Sequence, residues 1–227
     1  MPTYQDIYGH HADRYDELVR HEDVRGSVAA RLDLLLTPRP RRIVELGCGT
    51  GRVTRLLATR ADEVRAYDGA AHMVDFARRA VAGTNITYGV ADNESLPEPD
   101  GEADFVVAGW TLGHLTGFHP DDWPGRATRA LDEIDRIAGT NGHSVIFETL
   151  GTCVDVAAPP NERLAAFYAM LEGERGYRAE VVATDYAFAS VDDAVRVMGF
   201  FFGAKMADAV RGRGERVVPE WTGVWCR

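Results

Sequence analysis

Apolar and polar positions repeat with two different periods along the chain, and the changes of period outline its elements. Val24, Val28, Leu32 and Leu35 recur at the spacing that lines one face of a helix, and the run stops before TPRPRR, where two prolines end it. RIVEL (42–46) is a short β-branched run that predicts a buried strand. A helix from about Gly51 to Arg60 and a strand at EVRAYD (63–68) are expected next. A helix over 70–82 follows, with Met73, Ala77 and Ala80 on one face, and then a third strand at ITYGV (86–90). The pattern continues with a fourth strand over 103–110, an amphipathic helix over 126–138 and a fifth strand over 143–150. Such strand–helix alternation predicts a doubly wound α/β fold, a mostly parallel sheet with helices on both faces.

Beyond residue 150 the grammar changes. ERLAAFYAMLE carries Leu164, Phe167, Tyr168 and Leu171 on one helical stripe, YRAEVVATDYAF alternates like a strand, VDDAVRVMGFFFG is helical, and WTGVWC closes as a strand. The simplest arrangement adds this strand pair at one sheet edge.

Composition narrows the partners. A chain of 227 residues fits one domain with embellishments: an N-terminal helical cap over 1–40, a ligand-binding core over 41–150, and cap helices with a terminal strand pair over 151–227. The net charge of -10 argues against nucleic acid and against an anionic membrane surface, both of which are bound through Lys and Arg. No apolar run of 18 residues predicts a membrane span, and the polar, acidic N-terminus lacks a signal core. Cys48, Cys153 and Cys226 are scattered, without a C-x-x-C, and are expected as free thiols in a reducing cytoplasm. The histidines are equally scattered, so no metal is expected. The oligomeric state is left open.

Candidate chemistry concentrates where the strands end, because open α/β sheets bind ligands there. VELGCGTG (44–51) sets Glu45 before three alternating glycines, Gly47, Gly49 and Gly51. The sixth position of the dinucleotide fingerprint is Arg52 rather than glycine, which speaks against an NAD(P)-dependent oxidoreductase. The second strand ends in Asp68, where an acid can take both ribose hydroxyls, and the third delivers Asp92 and Asn93 to a base edge. An acid for ribose, polar groups for a base and no phosphate clamp point to a nucleoside whose tail is not phosphate.

These residues resemble class I S-adenosylmethionine-dependent methyltransferases of the small-molecule type. VELGCGTG is similar to that family's first motif, YDGAAHMVDFAR to its second, ADNESLP to its base-binding segment and ADFVVAGWTLGHL to its fourth-strand motif, and HHADRYDELV resembles its Tyr-Asp N-terminal helix. The resemblance implies a Rossmann-like, seven-stranded sheet with an antiparallel terminal strand. It also implies S-adenosylmethionine held by Tyr15, Glu45, Gly47, Cys48, Gly49, Gly51, Asp68, Gly69, Met73, Asp92, Asn93, Glu94, Gly109 and Trp110. Ala70 stands where the family often has Ser.

The Asn/Asp-Pro-Pro-aromatic run of adenine methylating enzymes is absent, since residues 108–111 read AGWT. A small organic acceptor is therefore expected, without metal, by in-line displacement. His114 is the candidate base, with a packing or cofactor-contact role equally open, and Tyr8, Glu148 and Thr149 are candidate acceptor contacts. A protein of this fold that binds S-adenosylmethionine without methylating is the alternative.

Overall fold

The computed structural model describes residues 4–227, the side chains of Tyr4, Gln5 and Tyr8 excepted. Helices α1 (Tyr4–His10), α2 (Ala12–Arg20) and α3 (Ser27–Leu35) precede β1 (Arg42–Leu46). A short α4 (Thr54–Leu57), β2 (Glu63–Asp68), α5 (Ala71–Ala80), β3 (Ile86–Val90) and β4 (Phe105–Gly109) follow. A 3-10 turn (Leu112–His114) leads into α6 (Leu115–Phe118), α7 (Trp123–Ala138) and β5 (His143–Thr152). The remainder is α8 (Glu162–Gly173), β6 (Arg178–Ala183), β7 (Tyr186–Ala187), α9 (Val191–Phe202), α10 (Ala204–Arg213), β8 (Val217–Val218) and β9 (Glu220–Cys226).

Seven strands form one sheet in the order β3-β2-β1-β4-β5-β9-β6, while β7 and β8 make a separate two-stranded ribbon. β1 pairs in parallel with β2 and β4, and β4 with β5, whereas β9 runs antiparallel to both β5 and β6. The order turns outward in both directions from β1 and β4, so their carboxyl ends open a crevice between diverging loops.

The pleat explains the core. Val44, Leu46, Val106, Ala108 and Ile146 point to one face, where they meet Ala130, Leu131, Ile134 and Ile137 of α7 and Phe167 and Leu171 of α8. Ile43, Val107, Val145 and Phe147 point to the other and meet Val28 and Leu32 of α3. Alternate residues of the same strands feed opposite cores, as a sheet covered on both faces requires. A third cluster lies apart from these two: Ile7 of α1 and Leu18 of α2 close on Val197, Met198 and Phe201 of α9 and Val210 of α10, together with Tyr186 and Phe188.

Some boundaries differ from expectation. The helix after the glycine loop shrinks to Thr54–Leu57, since residues 49–53 are spent in turns. Val24 lies outside α3, and Gly26, with φ +70°, precedes its first residue. α10 and the β7–β8 ribbon add to the terminal strand pair that the pattern predicted. No described helix is long and apolar enough to cross a membrane.

Candidate functional site

The loop after β1 is shaped by its own glycines. Gly47 has φ +65°, and a Cβ there would fall 2.2 Å from Thr111 Oγ1. Gly51 has φ +90°, and a Cβ there would fall 2.7 Å from Val81 Cγ2. Both positions need the left-handed region and the missing side chain together. Glu45, 1% exposed, accepts a hydrogen bond from Thr54 Oγ1 (2.6 Å), and burial pushes its carboxyl up to about 8. It ties the strand to α4 beneath the loop.

Asp68 closes the loop from the next strand. Its Oδ2 accepts from the Gly49 N–H (2.9 Å) and its Oδ1 from the Ala70 N–H (2.8 Å). Burial raises its pKa against those two bonds. Each oxygen accepts one backbone N–H, and a carboxylate oxygen has room for a second. A Cβ at Gly69, between Asp68 and Ala70, would fall 3.9 Å from the Ala91 carbonyl oxygen, an ordinary contact.

The other predicted cofactor residues divide. Cys48 is buried, its N–H bonded to the Tyr67 carbonyl (2.8 Å), and burial pushes its thiol far up, so it is filler in the loop. Met73 is buried in the inward face of α5. Asp92 Oδ1 accepts from the Glu94 N–H (3.0 Å), which makes it the cap of its own turn, and Asn93 Nδ2 donates to Thr111 Oγ1 (3.0 Å). The Glu94 carboxylate is held by Arg126 and by Arg129 Nε (2.5 Å) on α7, which brace the segment. Gly109 lets Val53 Cγ2 come within 3.0 Å of its missing Cβ. Trp110 takes φ +51°, donates its N–H to the Phe147 carbonyl (2.7 Å) and stacks on the Phe147 ring. Backbone strain of this kind in a non-glycine residue is a feature of functional sites.

A cavity of about 670 Å³ opens at these strand ends. Tyr15, Leu18 and Val19 of α2 wall it on one side, Phe201 and Phe202 of α9 on another, and Trp110, His114 and Phe118 below. Tyr15 reaches to 3.5 Å from the Cβ position of Gly49, so it links the cavity to the glycine loop. Pro160, Asn161, Leu164 and Tyr186 also line the cavity, as do α9 and Met206 of α10. The Tyr8 side chain lies outside what the structure describes.

The titratable groups in the cavity behave differently from one another. His114 stacks on Phe118 (5.4 Å between ring centroids), and burial pushes its pKa down to about 4. Glu148, 4% exposed, accepts from the Gly113 N–H (2.7 Å), and burial pushes it up to about 7 against that bond. Thr149 donates to Glu220 Oε1 (2.8 Å).

Sequence reasoning missed three residues here. Arg52 was legible only as the residue that breaks a fingerprint. Its guanidinium lies 3.5 Å from the Trp110 ring centroid, with Nη2 2.8 Å from Glu22 Oε1. Glu22 and Glu220 line the cavity too, yet nothing local marks either: one follows α2 in a charged stretch, the other opens β9.

Three buried polar atoms around the loop have no protein partner: Thr50 Oγ1, His72 Nε2 and Trp110 Nε1. Orphaned buried groups call for an explanation, and a ligand that carries donors and acceptors supplies one. With the glycine cradle and the ribose-sized acid, these residues fit a nucleoside with an amino-acid tail.

Sheet order, glycine loop and strand-two acid together define the class I methyltransferase architecture. Residues 44–146 match the family described as a methyltransferase domain. The chain is 33% identical over 144 residues to the malonyl-[acyl-carrier protein] O-methyltransferase of Halorhodospira halophila, covering 62% of this chain and 45% of that protein. It is 32% identical over 145 residues to the demethylmenaquinone methyltransferase of Thermus thermophilus, covering 60% and 61%. The chain thus spans about half the length of these curated relatives. Among solved structures, the DhpI–SAH complex superposes with a TM-score of 0.58 at 19% identity, over 97% of this chain and 92% of that one. Residues 44–146 thus resemble a methyltransferase domain, and the chain shares its fold with the DhpI–SAH complex.

Proposed function

We propose that the protein transfers a methyl group from S-adenosylmethionine to a small organic metabolite bound in the cavity beside the glycine loop. The observation that carries this reading is the cavity itself, a recess of about 670 Å³ at the strand ends rather than a flat face. Its size and its mix of aromatic walls with a few polar groups are those of small-molecule sites. The names of the two curated relatives, both methyltransferases, support the same class.

The bound cofactor supplies an already activated methyl group, so the chain's own task is placement. Gly47, Gly49 and Gly51 let the backbone come close. Asp68 takes the ribose hydroxyls with the lone pairs its backbone bonds leave. Met73 and Asp92 bound the adenine, and Tyr15 closes the site over Gly49. Alignment of nucleophile, methyl carbon and sulfur in one line accounts for much of the acceleration, without a metal. Where the acceptor must lose a proton, Glu148 is the base this cavity offers. Its pKa of about 7 matches neutral operation, while His114 at about 4 is a poor proton acceptor there.

Calorimetry with S-adenosylhomocysteine, together with label transfer from methyl-labelled cofactor into a metabolite extract, tests the proposal. The protein should bind the product and release labelled acceptor after dialysis against a chelator. Asp68→Ala should weaken product binding by about 1–3 kcal/mol. Tight product binding with no label transferred to any acceptor sinks the transfer reading and favours a non-methylating use of the cofactor.

A further inference from the structure

Glu220 is a buried acid of the cavity with one carboxyl oxygen left without a hydrogen bond. It is 2% exposed, and it sits at the start of β9. Oε1 accepts from Thr149 Oγ1 (2.8 Å), and the Thr152 side chain and the Arg52 charge also favour the carboxylate, but Oε2 is buried without a hydrogen bond of good geometry. Glu22 is close enough to repel it. Three carboxyl groups, Glu22, Glu148 and Glu220, line this cavity, and Arg52 is the single Lys or Arg among its lining residues. That guanidinium already stands 2.8 Å from Glu22 and against the Trp110 ring, and Glu148 is bonded to the Gly113 N–H. The surplus is acidic, and it falls on Glu220.

A buried acceptor without a donor costs free energy that a ligand can return by bringing the donor. A cation returns most, because it also offsets the repulsion between Glu22 and Glu220. The walls favour the same choice. Tyr15, Trp110, Tyr186, Phe201 and Phe202 present aromatic rings to the cavity, and ring faces attract alkylammonium groups while packing an apolar body. A carboxylate ligand would instead add a fourth acid to a cavity whose only guanidinium is taken. A neutral alcohol would fill Oε2 and leave the acid pair uncompensated.

We infer that Glu220 anchors a protonated amine of the acceptor, so that the acceptor class is an organic amine with an apolar or aromatic body. The inference rests on the cavity's being the acceptor site. Glu220 acts there as a specificity residue: the bound ammonium favours its ionised form, which takes the cation through Oε2, with Thr149 holding Oε1 and fixing the carboxylate's direction.

The test uses the full chain with saturating S-adenosylhomocysteine. Arylalkylamines from phenethylamine to tryptamine are titrated by calorimetry beside their isosteric alcohols and carboxylates. The amines should bind roughly 10–100-fold more tightly than the alcohols, the range of a charge-assisted hydrogen bond, and the carboxylates more weakly than either. Glu220→Gln should erase the gap between amine and alcohol while product affinity and melting temperature hold. If that variant fails to fold, Glu220→Asp keeps the charge but draws it back, and amine affinity should fall while alcohol affinity stays. An alcohol or carboxylate preference, no amine bound, or an unchanged gap in Glu220→Gln overturns the assignment. Failure of the product itself to bind sinks the cofactor placement instead, so the two failures are distinguishable.

Discussion

Glu148 and His114 answer to one physical cause with opposite results. Burial disfavours whichever form is charged, so it raises the carboxyl to about 7 and lowers the imidazole to about 4. The acid thereby becomes the stronger base of the two near neutrality. For an acceptor that must be deprotonated, Glu148→Gln should lower turnover about 10²–10⁴-fold and abolish the rising limb of the pH–rate profile near 7. His114→Ala should cost less than about tenfold and leave that limb in place, since a weak base in the wall contributes packing rather than proton transfer. Equal losses in both variants would return the base role to His114. Legibility at this scale followed spacing along the chain. Glu45, the three glycines and Asp68 are set by short-range order around two strand ends, and the structure places Asp68 on the Gly49 N–H. Arg52, Glu22 and Glu220 come together only through tertiary contacts of α2, the glycine loop and β9, and no local pattern records that.

Elements of the sheet were far more legible than those of the cap. β1, β2 and β3 are short runs rich in β-branched and aromatic residues between turn residues, and their observed limits coincide with the predicted ones. β7 and β8 have two residues each, too short to show any period. α10 mixes charged and small residues with only Val210 fully buried, so its apolar stripe is faint. The cap is held by the cluster that joins α1 and α2 to α9 and α10 rather than by the sheet core. Deleting residues 1–20 removes Ile7 and Leu18 from that cluster and Tyr15 from the cavity wall. Hydrogen exchange should then speed up in α9 and α10 while β1 and β4 stay protected, and methyl transfer should be lost. Exchange that rises uniformly through the sheet would show that the cap and the core form one cooperative unit.

At the scale of the whole molecule, buried acids set how stability responds to pH. Burial holds Glu45 and Glu220 at about 8 and Glu148 at about 7, all above the ordinary carboxyl value. Between about pH 4.5 and 8 the folded state therefore keeps protons that the unfolded chain has released, and stability falls as pH rises. Glu17, Glu63 and Glu133 are shifted the other way by their arginine partners, and their contribution disappears only as pH drops below the ordinary carboxyl value. The melting temperature should peak near pH 5 and be lower by about 5 °C or more at pH 8.5. A curve that is flat or rising across that interval would mean that the three acids are ionised in the fold. Saturating S-adenosylhomocysteine should raise the whole curve by mass action without changing its peak.

The antiparallel seat of β9 between β5 and β6 also orders events in time. During synthesis β1 to β5 can zip together as they emerge, each next to a neighbour already made or soon to be made. β6, at residues 178–183, has no place in the sheet until residues 220–226 have left the ribosome and slotted in between. Thr149 likewise waits for Glu220. A nascent chain can thus complete its glycine loop and the carboxyl ends of β1 to β5 before the Glu220 side of the cavity exists.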